Sequence, residues 1–299
     1  MTGHANFGPS EAASRILQAF GDGHLEDLMR ARRMELKPGL FAGMEEPLVS
    51  LDDLQEALAH GRFIESELRV AAGRTMIDKA LMQLADGSRI DLRRLEQLAR
   101  QGITMVLNKV DWRIAKVGNF ARALGEWLGE RIEVVSVASF GNQSGYDEHY
   151  DEENVFIVQL EGAKHWTFFG EPLDLHQPQP VAASEVTQEL VLNAGDVMFL
   201  PSGLRHVCSA VGHSLHLGVL IKHVDGSKLA KRIAAQIVAD PYMKVPNPVM
   251  LGEAEFSRQA EAYRQHIHAL VDRLDFAEEL RREQARKRYP ADFRLRWPD

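Results

Sequence analysis

His149 and Asp151 are the residues whose types and spacing most directly suggest chemistry. One residue separates them, so on an extended segment both side chains point to the same face. An imidazole and a carboxylate converging on one point form half of a mononuclear metal site. The stretch that follows reads as a hairpin: Asn154 to Glu161 as a buried strand, Glu161-Gly162-Ala163 as a tight turn, and Lys164 to Phe169 as a returning strand.

The other half of the site can come from Asn193-Ala-Gly-Asp-Val-Met-Phe-Leu-Pro-Ser-Gly-Leu-Arg-His206, which supplies a turn, a strand, a second turn and then a histidine. A strand starting at His206 beside His149 and Asp151 would present a third ligand. Two neutral imidazoles and one carboxylate on one face of an octahedron bind Fe(II) and leave three positions open, enough for a bidentate 2-oxo acid plus dioxygen. A structural metal would instead close its coordination sphere. Lys164, 13 residues after Asp151, can point into the same barrel. Burying a lysine is costly without an anionic partner, and the far carboxylate of 2-oxoglutarate would be one.

Each signal has a bland alternative. A lone His-x-Asp is more often a pair of surface polar residues, Lys164 by itself reads as a solvated strand lysine, and His206 by itself as a turn-capping histidine. The weight lies in their joint occurrence within an all-β stretch. His165 alternates with Lys164 and should face away from it, His213 lies in a solvent-exposed turn, and His216 reads as core or as a neighbour of the metal. Trp166, Phe168 and Phe169 read as barrel core.

The elements that position these residues follow from periodicity and punctuation. Strands are expected from Ile132 to Phe140, Val155 to Leu160, Lys164 to Phe169, Glu189 to Leu192, Val197 to Leu200, His206 to Val211 and Ser214 to Ile221. Turn residues separate them, as in a sandwich or barrel. Before them the spacing predicts helices from Ser10 to Phe20 (with Ala13, Ile16, Leu17 and Phe20 on one face), Leu25 to Arg33, from a Ser50 cap, from Asp91 to Gly102, and from Trp112 to Gly129. Strands are expected at Phe63 to Val70 and Ile103 to Asn108. Residues 171 to 188 form an irregular excursion. After Lys222 the chain returns to helix, from Ser227 to Ala239 and in one long amphipathic run from Phe256 to Arg288.

The 299 residues, 45% of them hydrophobic, can bury a large core. A net charge of -8 argues against general nucleic-acid affinity. Basic residues do crowd the end of the chain (Arg281, Arg282, Arg286, Lys287, Arg288, Arg294 and Arg296), where weak contact with an anionic partner is the alternative to a solvated helix end. With Cys208 as the single cysteine, an intrachain disulfide is excluded and a reducing, cytoplasmic setting is expected. No secretory pattern and no membrane-spanning stretch is expected.

His149-Tyr-Asp-Glu-Glu-Asn-Val-Phe-Ile-Val-Gln-Leu-Glu-Gly-Ala-Lys-His-Trp166, Gly195-Asp-Val-Met-Phe-Leu-Pro-Ser-Gly-Leu-Arg-His206, Ser214-Leu-His-Leu217 and Asn108-Lys-Val-Asp111 together resemble the JmjC/cupin-type 2-oxoglutarate oxygenases, in their ribosomal-oxygenase-like branch. The resemblance covers residues from about 15 to 222. It implies that His149, Asp151 and His206 hold Fe(II) and that Lys164 pairs with the far carboxylate of 2-oxoglutarate. It also implies hydroxylation of a substrate C–H with decarboxylation of the co-substrate to succinate. Two departures stand out. Relatives carry Asn-x-Tyr on the strand before the motif, where this chain has Val134-Val-Ser-Val-Ala-Ser-Phe140, leaving Ser139 or Asn142 as replacements. Asn154 takes a usually acidic position outside the ligand set.

The expected architecture is mainly β with flanking helices: a double-stranded β-helix (cupin, jelly-roll) barrel at 131–223, an N-terminal α/β wrap at 1–130, and a helical segment at 224–299 suited to a homodimer. The expected activity is Fe(II)- and 2-oxoglutarate-dependent hydroxylation of a protein or peptide side chain, a ribosomal protein being one candidate substrate. The alternatives are a small-molecule hydroxylase, a non-oxygenase cupin that isomerises or only binds its ligand, or a scaffold acting through the C-terminal helix.

Overall fold

The computed structural model describes residues 10–60, 67–84, 87, 89–142, 146–177, 185–246, 250 and 252–287. The chain divides into two compact units, residues 1–222 and 223–299.

In the first unit, five helices precede the barrel: α1 (Glu11–Phe20), α2 (His24–Ala31), α3 (Leu51–His60), α4 (Leu92–Arg100) and α5 (Ala115–Leu128). The starts of α1, α3 and α4 are written in side chains. Ser50 and Asp53 cap α3 reciprocally, Ser50 Oγ accepting from the Asp53 amide at 3.2 Å and the Asp53 carboxylate accepting from the Ser50 amide at 2.7 Å. Asp91 accepts from the amides of Arg93 and Arg94 at the start of α4. The long helix expected from Trp112 begins later, because residues 110–112 form a 3₁₀ turn. Leu17, expected on the buried stripe of α1, is 42% exposed, whereas Ala12, Ala13, Ile16 and Phe20 are buried.

The strands are β1 (Glu35–Lys37), β2 (Leu68–Ala72), β3 (Thr75–Met76), β4 (Thr104–Leu107), β5 (Arg131–Ser139), β6 (Asn154–Phe169), β7 (Val186–Asn193), β8 (Val197–Leu200) and β9 (Arg205–Lys222). The order β1-β8-β6-β9-β5-β4-β2-β3 gives one broad sheet, and β7 pairs with the far half of β6. β1 and β3 have no counterpart in the sequence reading; each is short and forms only by pairing with a remote or adjacent strand. The strand expected from Phe63 falls partly outside the described residues and is β2 within them.

The hairpin expected at Glu161-Gly162-Ala163 does not form. β6 is one strand of 16 residues that keeps β9 as its neighbour from end to end, with register shifts at Gln159/Glu161 and Gly162/Ala163. β9 is likewise continuous for 18 residues across Gly212, where a turn was expected. The two strands stay paired across these irregularities, where bulges bend them together. Gly162 has φ +63, and a Cβ there would lie 2.0 Å from the His213 carbonyl oxygen. Only glycine permits this close crossing, which looks like a turn when read along one strand.

Strand alternation then sorts the core. Outward-facing Phe156, Val158, Leu215, Leu217, Val219 and Ile221 join the helices in the larger cluster. Inward-facing Val155, Ile157, Trp166, Phe168, Leu192, Met198 and Leu200 form a smaller cluster inside the barrel. Buried Asp196 fixes the turn before β8: its carboxylate accepts from the amides of Asn193 and Gly39, both at 2.8 Å.

The second unit contains α6 (Gly226–Ala239), α7 (Glu253–Asp272) and α8 (Phe276–Lys287). The single run expected from Phe256 to Arg288 is therefore two helices. Asp275 breaks it, its side chain accepting from the Glu278 amide at 3.0 Å to cap α8. Arg232 of α6 is paired with Glu279 and Glu283 of α8. Arg281 and Arg282, from the basic end of the chain, are paired with Glu278 and Glu279, while residues 288–299 lie outside the described set. Among the described residues, no helix is long and apolar enough to cross a membrane.

Candidate metal centre

His149 and His206 face each other as an antiparallel bridge at one end of the barrel. The His149 amide donates to the His206 carbonyl at 3.0 Å, and the His206 amide to the His149 carbonyl at 2.7 Å. Their ring centroids lie 4.5 Å apart. Asp151 Oδ2 is 4.0 Å from His206 Nε2. The tertiary structure thus sets the two histidine rings side by side, with Asp151 near His206.

Both imidazoles are oriented in the same way. His149 Nδ1 donates to the Asp147 carbonyl at 2.9 Å, and His206 Nδ1 donates to the Leu204 carbonyl at 2.9 Å. A carbonyl only accepts, so Nδ1 carries a proton in each ring, which in the neutral imidazole leaves on Nε2 the lone pair a metal requires. His206 is 3% exposed, and its pKa is lowered first by burial and then by the neighbouring His149, which keeps it neutral. The Asp151 carbonyl accepts from the Gly203 amide at 2.8 Å, tying the carboxylate-bearing segment to the turn that delivers His206. Gly203 has φ +80, and a Cβ there would press to 2.6 Å on the Leu173 carbonyl oxygen. Asn154 Oδ1 accepts from the Ser202 amide at 3.0 Å, giving the non-acidic residue at this position a turn-holding role.

This donor set fits a divalent metal in chemistry. Its spacing is open: among the described residues no group of three His, Cys, Asp or Glu is drawn around one point. Donors about 2.1 Å from a common ion and at right angles stand roughly 3 Å apart, against 4.0 Å between Asp151 and His206. The Asp151 side chain is 34% exposed, which leaves it room to rotate inward.

Deeper in the barrel, Lys164 is 3% exposed. Its Nζ lies 3.4 Å from Nδ1 of His216 and hydrogen-bonds the Cys208 thiol. Burial, then the Lys164 charge beside it, holds the His216 imidazole well below its ordinary pKa. Burial likewise pushes the Cys208 thiol up, against the pull of Lys164. Among the described residues no carboxylate pairs with Lys164, so a buried cation faces two neutral groups. His216 is thus the lysine's neighbour inside the barrel. His165 faces outward, 4.0 Å from Glu189, and His213 is exposed, both as alternation requires.

Sequence reasoning missed three participants. Trp166 was assigned to the core and is buried, yet its ring lies 5.4 Å from that of His206 and 5.9 Å from that of His216. Tyr146 lies 6.0 Å from the His149 ring, with the Arg69 guanidinium 5.5 Å from its own. Arg74 pairs with Asp147 at 3.0 Å, and the carbonyl of that aspartate orients His149. The contacts from β2 and the turn after it join segments some seventy residues apart, which no local spacing encodes.

The JmjC domain model matches residues 111–229, a span that contains His149, Asp151, Lys164 and His206. This segment is similar to JmjC domains. The chain is 27% identical over 171 residues to ribosomal oxygenase 2 of Bos taurus, covering 52% of this chain and 36% of that protein. It is 31% identical over 113 residues to ribosomal oxygenase 1 of Gallus gallus, covering 34% and 19%. The chain thus spans well under half the length of these relatives. Among solved structures, the fold is similar to the Escherichia coli ribosomal oxygenase YcfD in complex with cobalt and 2-oxoglutarate, with TM-score 0.57 and 16% identity over 87% of this chain and 70% of that one. The complex of the same protein with cobalt and succinic acid gives 0.56, at 16% identity over 86% and 69%. At that identity the likeness establishes the jelly-roll fold of the JmjC domain.

Proposed function

We propose that this protein is an Fe(II)- and 2-oxoglutarate-dependent oxygenase that hydroxylates an amino-acid side chain of a protein or peptide. One observation carries the reading: a buried lysine that no carboxylate pairs with among the described residues stands in the same barrel as two adjacent histidines, one with its Nε2 4.0 Å from the Asp151 carboxylate. A binder of metal alone has no use for that cation. A co-substrate that chelates at one end and carries a carboxylate at the other accounts for both features. The ribosomal oxygenases among the relatives, and the solved complexes of one with cobalt and 2-oxoglutarate or succinic acid, support it.

His149, Asp151 and His206 would hold the iron, which when bound activates dioxygen in concert with oxidative decarboxylation of 2-oxoglutarate to succinate. The Asp147 and Leu204 carbonyls fix the ring orientations, so little ordering is needed when metal binds. Lys164 fixes the far end of the co-substrate, and the apolar lining from Ile157, Phe168 and Met198 excludes water from the barrel. Tyr146, beside His149 with Arg69 over its ring, would be available to contact a side chain presented to the metal. The relatives support a ribosomal-protein substrate, and the amphipathic helices of the second unit support action as a homodimer.

The test is succinate release by the purified protein with Fe(II), ascorbate and 2-oxoglutarate. Slow release without added substrate is expected, and Asp151→Ala should abolish it; equal turnover in that variant overturns the reading. A non-oxygenase cupin would bind metal yet give no weak visible charge-transfer band when 2-oxoglutarate is added anaerobically to the Fe(II) protein.

A further inference from the structure

We infer that the indole N–H of Trp166 is the second hydrogen-bond donor to the bound dicarboxylate, in the position left open by the missing Asn-x-Tyr pair. The inference rests on the proposed 2-oxoglutarate reading and deepens it. Trp166 is 2% exposed, and its Nε1 is buried without a hydrogen-bond partner. A buried donor left unpaired costs on the order of a hydrogen bond's desolvation, and such groups are rare in native interiors. An indole offers a donor and no acceptor, so the partner must bring an acceptor oxygen.

The pairing register places this donor between the two ends of the proposed ligand. Along β6 and β9, Phe168 stands opposite His206, Trp166 opposite Cys208, and Lys164 opposite Ala210. Lys164, Trp166 and Phe168 alternate on one face of β6, so the three rungs read inward as metal ligand, indole and lysine. The ring contacts agree, with His206 on one side of the indole and His216, the neighbour of Lys164, on the other. An extended dicarboxylate held by the metal and by Lys164 must pass the Trp166 rung.

Of the two replacements suggested by the sequence, Ser139 is paired within the sheet and Asn142 is exposed. Ser139 Oγ lies 3.1 Å from Thr104 Oγ1 in a buried pair, and Asn142 Oδ1 accepts from the Gly212 amide. Gln159, also inside the barrel, donates to Ser214 and to the carbonyls of Glu161 and Leu215, and its remaining oxygen is an acceptor. Ser136 Oγ, also buried without a partner, lies on the β5 face of Ile132, Val134 and Ala138 that packs against the helices, so among the described residues Trp166 is the unpaired donor inside the barrel.

The experiment uses the full chain labelled with ¹⁵N-tryptophan and loaded with Zn(II), a diamagnetic stand-in for iron. The sequence holds four tryptophans, so four indole N–H signals are expected, with that of Trp166 assigned by its loss in Trp166→Phe. Adding 2-oxoglutarate should move the Trp166 signal strongly downfield and the others little. Calorimetry on the Zn(II) protein should show about tenfold weaker 2-oxoglutarate binding in Trp166→Phe, the worth of one hydrogen bond to a charged group, with Zn(II) affinity unchanged. A Trp166 signal that stays in place on the wild-type protein while 2-oxoglutarate binds overturns the inference, whatever the variant's stability. Lys164→Met separates the two claims. If it abolishes 2-oxoglutarate binding while the indole signal of the wild type does not respond, the pocket is right and the Trp166 assignment wrong. If 2-oxoglutarate binds neither wild type nor variant, the underlying reading falls with it.

Discussion

Lys164 Nζ and His216 Nδ1 face each other across 3.4 Å inside the barrel, a buried cation against a neutral imidazole. Replacing the lysine by methionine removes a desolvated charge and keeps most of the volume. Lys164→Met should therefore raise the stability of the protein without co-substrate by about 1–3 kcal/mol. The same change should erase the stabilisation that 2-oxoglutarate gives the metal-loaded wild type. Thermal melts with and without 2-oxoglutarate check both signs. A variant less stable than wild type and still responsive to the ligand would mean that Lys164 serves the fold rather than the co-substrate.

The same imidazole makes the fold sensitive to acid. His216 and His206 both have folded pKa values below the ordinary 6.5, through burial first, then Lys164 for His216 and His149 for His206. The unfolded chain protonates them near 6.5 and the folded one does not, so unfolding takes up protons. Their contribution to stability is complete above about pH 6.5 and is lost as pH falls below it, by up to about 1.4 kcal/mol per pH unit for each. Urea midpoints at pH 7.5 and 5.5 should show a smaller loss in His216→Gln than in wild type. Parallel losses would rule out the assignment to His216.

Gly162 and the His213 carbonyl set the crossing of β6 and β9. Gly162→Ala combines a positive φ with a Cβ 2.0 Å from that oxygen. It should destabilise the barrel by more than about 2 kcal/mol. Denaturant unfolding measures this directly; a loss within the scatter of surface substitutions would show that the bend is not fixed here.

Asn154 separates hydrogen bonding from charge at a position that is usually acidic in relatives. Its Oδ1 holds the Ser202 amide at 3.0 Å, in the turn leading to His206. Asn154→Asp keeps an acceptor and should leave Mn(II) affinity within about threefold. Asn154→Ala frees a part-buried amide and should weaken it about tenfold, the scale seen when a group supporting a metal ligand is removed. Calorimetric titration with Mn(II) distinguishes the cases. Strong tightening in Asn154→Asp would instead place this side chain in the ligand set.

The sequence by itself determined what is carried by short spacing. Two residues apart on extended chain put His149 and Asp151 on one face, alternation separated Lys164 from His165, and Ser50, Asp91 and Gly129 marked helix ends through local hydrogen bonds or backbone freedom. The β texture after Ile132 was legible for the same reason. The tertiary structure decided what depends on remote partners. Gly162 and Gly212 are indistinguishable from turn glycines until β6 and β9 lie side by side, so the supposed hairpins resolve into two long bent strands only in three dimensions. β1 forms because β8 is there to pair with it. Asp275 divides the last helical run because the capped start of α8 outweighs a continuous apolar pattern. Trp166 shows most clearly where local reading ends. Its hydrophobic ring assigned it to the core, and only the surroundings of its single polar atom reveal a donor left over for something else.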